Sequence, residues 1–225
     1  LAVRDPSYRK HSNELTNRDN DINEFKPLVE YLCNKNYKVL RMGKKMKERL
    51  DFNHNNFTDY AFHNLNSDFM DIFLFYASNF VISTGSGLDA VASLFRKKKL
   101  YLNSGELNSF NFRLNSNISF IYPKKVFDSK KNIQLSLFDI FEKGLDKLTT
   151  YEDYKKRNIL FKTLSPVQMI NATQEMENFI ENGYSEDSKR NNKLINEYLF
   201  KKYKIKINFH WSNEYLSQQI ERINN

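Results

Sequence analysis

The sequence contains a single cysteine, Cys33, among its 225 residues. A lone cysteine cannot form an internal disulfide or build a cysteine-rich metal site, so Cys33 is interpreted as a buried core thiol. No stretch approaches the roughly 20 apolar residues that are needed to span a bilayer, and no secretory signal is visible. These absences favour a cytoplasmic protein whose contact with the inner membrane surface is at most peripheral.

Signatures of several enzyme classes are also missing. The four histidines include no pair at metal-ligand spacing, and the sequence has no Walker loop, no Gly-x-Gly-x-x-Gly motif and no Gly-x-Ser-x-Gly elbow. One Asp-x-Asp pair, formed by Asp19 and Asp21, follows a polar loop and is interpreted as helix capping. We therefore expect no metal site, no cofactor and no hydrolase chemistry.

Positive charge is abundant, with a formal net charge of +8 and a pI of about 9.3. Three partners fit this charge, namely nucleic acid, an anionic membrane surface and a phosphorylated substrate. The bias towards Lys, Ile, Asn and Phe is equally well explained by an A/T-rich genome. The basic runs at 44–47, 96–99 and 201–206 are interpreted as solvated faces. No RNA-binding or helix-turn-helix signature occurs, so nucleic acid is not expected as a partner.

Strand and helix patterns alternate along the first two-thirds of the chain. This alternation predicts an α/β fold with a doubly wound, mostly parallel, Rossmann-like sheet. The predicted strands are 1–3, 39–42, 57–62, 80–83, 100–103 and 118–122, and the predicted helices are 21–35, 69–78, 88–95 and 133–143. We expect residues 1–150 to form this domain. Residues 151–225 are expected to form a helical C-terminal extension, with helices at 166–182 and 188–203 and a short strand near 205–209.

The strongest local feature is the segment 83–87, which follows an apolar strand and precedes a helix. Two glycines permit a close approach of the backbone to a ligand, and the free amides at the start of the helix favour an anion. The residues of this candidate phosphate cradle are Ser83, Thr84, Gly85, Ser86 and Gly87. A tight strand-to-helix turn with no ligand explains the same residues equally well.

Two arginines follow other predicted strands. Arg4 comes directly after the first strand and is followed by Asp5, and Arg41 ends the second strand just before Gly43. Ligands of doubly wound sheets bind at the carboxyl ends of the strands, where arginine can contact phosphate through two hydrogen bonds. Fixed positive groups at one sheet edge would suit the developing charge of a pyrophosphate leaving group. A surface pair between Arg4 and Asp5 is the alternative.

Three carboxylates lie close together in the sequence, at Asp59, Asp68 and Asp71. They are candidates for a base, for an acceptor of a ribose hydroxyl or for helix caps. Capping best explains Ser67 and Asp68, and the role of Asp71 is left open.

These motifs together resemble a family of bacterial glycosyltransferases encoded in surface-polysaccharide gene clusters. The matching segments cover most of residues 1–110 and part of the C-terminus. They are, in order, Arg4-Asp-Pro-Ser-Tyr8, Arg18-Asp-Asn, Val39-Leu-Arg-Met-Gly43, Ser67-Asp-Phe-Met-Asp71, Ser83-Thr-Gly-Ser-Gly87, Asn103 and His210-Trp-Ser-Asn-Glu-Tyr-Leu216.

The resemblance implies the donor-binding, C-terminal half of a GT-B fold, in which two Rossmann-like domains face each other across a cleft. It also implies that no metal holds the donor. The site residues that it implies are Arg4, Asp5 and Arg41 for catalysis, and Tyr8, Arg18, Gly43, Asp59, Asp71, Asn103 and residues 83–87 for donor binding. Among these, Asp59 and Asp71 are expected to hold ribose or sugar hydroxyls.

The predicted function is thus transfer of a sugar from a nucleotide-sugar donor to a polysaccharide, lipid-linked or other acceptor. The partners expected are the donor, the acceptor and an N-terminal domain of the same protein, with peripheral contact to an anionic membrane. Pyruvyl or phosphate transfer on the same fold is one alternative. A basic module that binds nucleic acid or a membrane surface, and a degenerate structural half-domain, are the others.

Overall fold

The computed structural model describes residues 1–8, 16–105, 107 and 118–220. The α-helices are α1 Lys26–Asn34, α2 Asp68–Ala77, α3 Asp89–Leu94, α4 Leu137–Glu142, α5 Tyr151–Lys156, α6 Pro166–Asn182, α7 Glu186–Tyr203 and α8 Asn213–Ile220. The strands are β1 Val39–Leu40, β2 Phe57–Thr58, β3 Phe80–Ser83, β4 Lys98–Ser104, β5 Ser119–Pro123, β6 Lys125–Asp128, β7 Ile133–Gln134, β8 Ile159–Lys162 and β9 His210–Trp211. Short 3-10 turns lie at Pro6–Tyr8, Ile22–Phe25, Tyr60–Phe62 and Leu145–Lys147.

A parallel sheet is built around the first three residues. Strands β3, β4, β5 and β9 pair in that order, and β1 pairs with β2, all in parallel. Residues 1–3 lie between the two groups. The Ala2 amide donates to the Ile82 carbonyl at 2.8 Å, and the Met42 amide donates to the Leu1 carbonyl at 2.8 Å. The hydrogen bonds therefore join the strands into one array.

The strand order of this array is the doubly wound one. The seven strands of this array, numbered 1 to 7 along the chain, are residues 1–3, β1, β2, β3, β4, β5 and β9. Their order across the array is 3-2-1-4-5-6-7. The first six strands follow the Rossmann order, in which the direction of winding reverses between strands 1 and 4. The fold is thus α/β with a Rossmann-like parallel sheet.

Successive residues of a strand point to opposite sides of the sheet, and each side is covered by its own buried cluster. Within β3, Val81 belongs to one buried cluster and Ile82 to the other. The smaller cluster packs against α2 and α3 through Phe75 and Ala92. The larger cluster is covered by α1 and α6, which contact each other, and α6 also contacts β4.

Several local predictions are confirmed by the helix caps. Asp21 accepts the Asn23 amide at 2.8 Å and caps the turn that leads into α1. Ser67 accepts the Met70 amide at 3.2 Å and caps α2. The helices predicted at 166–182 and 188–203 are α6 and α7.

The helix predicted over 133–143 is wrong in its first part. Residues 133–134 form β7, and α4 begins only at Leu137. The cause is a capping box: the Asp139 amide donates to Ser136 Oγ at 3.1 Å, and the Ser136 amide donates to Asp139 Oδ2 at 2.7 Å. A capping box fixes where a helix starts more strongly than apolar spacing does.

A second, antiparallel sheet was not predicted. It has the order β7-β6-β8. Strand β8 lies after residue 150 and pairs with β6, which lies before it, and β9 adds the last strand to the parallel sheet. Residues 151–220 thus share both sheets with the first part of the chain. The division at residue 150 stays a prediction.

Candidate functional site

A cavity of about 450 Å³ opens where the strand order reverses, at the carboxyl ends of residues 1–3 and β3. This is the place where open α/β sheets bind ligands, and its volume is that of a typical small-molecule site. The residues that line it come from five segments of the chain. They are Ala2, Val3, Arg4, Asp5, Arg18, Met42, Gly43, Lys44, Lys45, Met46, Asp71, Ser86, Gly87 and Leu88.

Arg4 and Asp5 build one wall of the cavity. The Arg4 amide donates to Thr84 Oγ1 at 2.9 Å, and its guanidinium Nε lies 3.4 Å from the carboxylate of Asp19. The Arg4 side chain is 23% exposed, so it remains within reach of a ligand. Asp5 accepts the Lys47 amide at 2.8 Å and thereby ties the loop 44–47 across the cavity.

Arg18 joins the site from a distant part of the chain. Its Nη2 donates to the Gly85 carbonyl at 3.3 Å, which places the guanidinium beside the turn that follows β3. Tyr8 lies in the 3-10 turn Pro6–Tyr8, directly after the cavity wall. Arg18 therefore lines the cavity with its side chain, and the backbone of Tyr8 lies near the cleft.

The segment 83–87 is held by its own hydrogen bonds. Asp89 accepts the Ser83 hydroxyl at 2.5 Å and the Ser86 amide at 2.9 Å. The Gly85 amide donates to Ser83 Oγ at 3.1 Å, and the Thr84 amide donates to the Ala2 carbonyl at 3.1 Å. Three of the amides that were expected to bind phosphate are thus already engaged. The prediction that Thr84, Gly85 and Ser86 offer backbone donors to a ligand is contradicted by these bonds.

The end of the same segment is still available to a ligand. Within the described residues, the amides of Gly87 and Leu88 have no hydrogen-bond partner, and both residues line the cavity. Gly85 has a φ of +89°, a left-handed conformation that favours glycine. Of the predicted backbone donors only Gly87 is left open, and Leu88, one residue beyond the predicted cradle, adds a second.

Arg41 does not reach the cavity. Its side chain is 1% exposed, and its Nη1 donates to Asp59 Oδ2 at 3.1 Å and to the Glu48 carbonyl at 2.7 Å. Asp59 also accepts the Leu50 amide at 2.9 Å. The predicted contacts of Arg41 with pyrophosphate and of Asp59 with a hydroxyl are corrected accordingly. The two side chains form a buried pair that organises the loop between β1 and β2.

Asn103 is also a structural residue. It is fully buried at the end of β4, and its Oδ1 accepts the Leu164 amide at 2.7 Å. Its Nδ2 faces Met169 Sδ at 3.6 Å. Both partners belong to the entry into α6. The predicted contact of Asn103 with the donor is therefore replaced by a contact that positions this helix.

Asp71 is the buried carboxylate of the cavity. It lies in the first turn of α2, is 8% exposed, and its Oδ1 has no hydrogen-bond partner within the described residues. Burial raises the pKa of Asp71, and Lys44 opposes this effect. An unpaired buried acceptor is costly in a folded protein. A ligand hydroxyl that donates to it would remove that cost.

Sequence reasoning missed the lysines of the loop beside Gly43. Lys44 and Lys45 line the cavity, and Lys44 also pairs with Asp68. A side-chain β-carbon at Gly43 would overlap the flexible Met46 side chain, which would have to move. The position of the lysines directly after a strand end was the available signal. The cavity thus contains four basic and two acidic side chains.

Comparison of the chain with protein-family models, with curated proteins and with solved structures finds no match in any of the three. No helix of the described ranges is both long enough and apolar enough to cross a membrane. In the same ranges, no three His, Cys, Asp or Glu side chains group as metal ligands would.

Proposed function

We propose that this chain is the donor-binding domain of a glycosyltransferase and corresponds to the C-terminal half of a GT-B arrangement. The observation that carries the proposal is the basic cavity at the reversal of the strand order. A Rossmann-like sheet binds nucleotides at this position, and the cavity has room for one. The order of the sequence motifs supports the same assignment.

In this proposal the basic side chains hold the pyrophosphate of the donor. Arg4, Arg18, Lys44 and Lys45 reach the cavity from three segments. Glycosyl transfer leaves negative charge on the nucleoside diphosphate, and fixed cations stabilise that charge where it develops. The unbonded amides of Gly87 and Leu88 add neutral donors to the same wall.

Asp71 is assigned to a hydroxyl of the donor sugar or ribose. It is the cavity carboxylate that retains an unpaired oxygen, whereas Asp5 is engaged by the loop amide of Lys47. A site built to pair a hydroxyl discriminates strongly against ligands that lack it, because the buried acceptor is then left unpaired. Asp71 is thus a specificity residue of the proposed site.

The first experiment is thermal unfolding with UDP, GDP, CMP and ADP at fixed salt, followed by calorimetric titration of any nucleotide that stabilises the protein. A ligand at 100 times its Kd stabilises the native state by about 2.7 kcal/mol. For a chain of this size, that raises Tm by about 5–11 °C. We expect one nucleoside diphosphate to act selectively.

Two lysines of the same loop supply a matched pair of variants. Lys45 is exposed and lines the cavity, whereas Lys47 is exposed and does not. Lys45→Ala should weaken nucleotide binding by about tenfold, the value of one charge-assisted contact. Lys47→Ala should leave binding unchanged. Equal effects of the two substitutions, or no stabilisation of the folded protein by any nucleotide, would contradict the proposal.

Two further ligands separate the alternatives. Selective stabilisation by phosphoenolpyruvate would assign the cavity to pyruvyl transfer. Binding of RNA with a steep dependence on salt, without a nucleotide preference, would assign the basic charge to nucleic acid. In either case the glycosyltransferase proposal would be replaced.

A further inference from the structure

Helix α2 carries an apolar stripe on its outer face. Phe69 is 73% exposed, Ile72 49%, Phe73 45% and Tyr76 59%. These residues have the spacing i, i+3, i+4 and i+7, so they lie side by side along one side of the helix. We call these four residues the α2 stripe.

The fold does not need the α2 stripe for its core. The opposite side of α2 already packs into the smaller buried cluster through Phe75, with Met70 and Leu74 beside it. Four large apolar side chains in water raise the free energy of the protein, and burying them against a partner would lower it. A contiguous group of exposed apolar residues such as this one marks a contact surface.

Basic residues lie at both ends of the α2 stripe. At the start of the helix, Lys44 pairs with Asp68. At its end, Lys97 Nζ lies 5.6 Å from the centre of the Tyr76 ring. The neighbouring residue Arg96 is exposed and pairs with no carboxylate of the described residues. Apolar rings thus lie along a helix of about 15 Å, between the Lys44–Asp68 ion pair at its start and two cations at its end.

We propose that the α2 stripe docks on the surface of a bilayer that contains anionic lipids. Aromatic rings flanked by cations match both layers of such a surface, since the rings enter the hydrocarbon boundary and the cations meet lipid phosphates. A second copy of the chain fits less well, because in an antiparallel pair Arg96 and Lys97 would face the Lys44–Asp68 ion pair, which offers no net negative charge to match them.

Docking of the α2 stripe would also set the position of the cavity relative to the bilayer. The stripe and Asp71 lie on different sides of the same helix, and Asp71 lines the cavity. Docking of the stripe would hold the cavity next to the bilayer, close to a substrate carried by lipid. The docking itself is independent of the ligand that the cavity takes.

The test is flotation of the chain with phosphatidylcholine vesicles, with and without added phosphatidylglycerol. We expect binding only to the anionic vesicles. The double variant Phe69→Ser Phe73→Ser should lower the partition coefficient at least about tenfold, the value of one buried phenylalanine ring. The matched control is Phe200→Ser, which removes a 55% exposed ring from α7 and should leave binding unchanged.

The contribution of charge is tested separately. Arg96→Gln should weaken binding to anionic vesicles by about fivefold and should reduce its salt dependence. Thermal unfolding establishes that each variant is folded, and its nucleotide titration should match that of the unchanged chain. A failure of the docking proposal can therefore be told apart from a failure of the proposed function.

Three results would overturn the docking proposal. One is a folded chain that does not bind anionic vesicles, and another is a double variant that floats with them as the unchanged chain does. The third is a dimer in sedimentation experiments that the double variant abolishes, which would assign the stripe to a second copy.

Discussion

Replacing Arg41 by methionine should destabilise the protein by about 3–5 kcal/mol, the cost of removing one partner of a buried ion pair. The same change should leave the nucleotide affinity of the folded protein unaltered, because Arg41 does not line the cavity. This combination separates a structural arginine from one that binds pyrophosphate.

The magnitude follows from what the substitution leaves behind. The Asp59 side chain is 8% exposed. Of the two contacts described above, it would keep only the hydrogen bond from the Leu50 amide at 2.9 Å. The Glu48 carbonyl would lose the Arg41 donor at 2.7 Å. A buried carboxylate without its cation must either become protonated or draw water into the loop, and both cost free energy.

The assay is urea unfolding followed by fluorescence of Trp211, the sole tryptophan, which is fully buried. Arg49→Met is the control, since Arg49 lies in the same loop but is exposed and donates to the Phe62 carbonyl at 3.1 Å. Its effect should stay within about 0.5 kcal/mol, as for most surface changes. The double variant Arg41→Met Asp59→Leu should recover most of the lost stability, because an apolar pair removes the uncompensated charge. A variant Arg41→Met that keeps full stability but loses nucleotide binding would refute the structural assignment.

Three other substitutions test particular contacts. Burial raises the pKa of Asp89 from 3.8 to about 6, so the folded state binds this proton more tightly than the unfolded state does. Its contribution to the free energy of unfolding is largest below about pH 4 and falls by about 3 kcal/mol up to about pH 6. Asp89→Asn should remove this slope from urea unfolding measured across that range, and an unchanged slope would contradict the argument. Gly105→Ala should cost at least about 1–3 kcal/mol, because its β-carbon would overlap the Asn17 carbonyl oxygen; a Tm equal to that of the unchanged chain would show that the backbones are not so close. Asn103→Ala should cost about 1–3 kcal/mol in urea unfolding by leaving the buried Leu164 amide without its acceptor, and a smaller loss would mean that water replaces it.

Much of the parallel sheet could be predicted from the sequence, because its strands are short apolar runs that are separated by helical spacing. The run at 80–83 and its turn are one example, and β3 has the predicted bounds. Chain order alone did not reveal the antiparallel sheet β7-β6-β8. Strand β7 has only two residues and β6 and β8 have four each, so their periodicity is too short to distinguish from a loop or a helix.

The site was predicted in outline for a topological reason. Strands of a parallel sheet all end at one edge, so residues that follow different strands meet there. Arg4, Gly43 and Ser86 lie far apart in sequence and line one cavity for this reason. The hydrogen bonds of the turn could not be predicted, because Asp89 had been given no part in it. A carboxylate three residues after Ser86 captures the Ser86 amide, as side chains do at many helix starts.

The sequence placed Arg41 in the cavity wrongly because side chains alternate along a strand. The Arg41 amide donates to the Thr58 carbonyl at 3.0 Å, so this residue still belongs to the ladder with β2. Within a ladder, adjacent side chains point to opposite faces. Met42 lines the cavity, and Arg41 therefore points away from it, towards Asp59. Arg4 differs because residues 1–3 complete the pairing before it, and its amide turns to Thr84 instead. Whether an arginine near a strand end reaches a ligand thus depends on where the ladder stops, and a one-residue difference decides it. The two arginines are the sharpest test of that rule in this chain: the same substitution should cost stability alone at Arg41, but at Arg4 it should also cost ligand affinity, beside the stability lost with the contact to the buried Asp19.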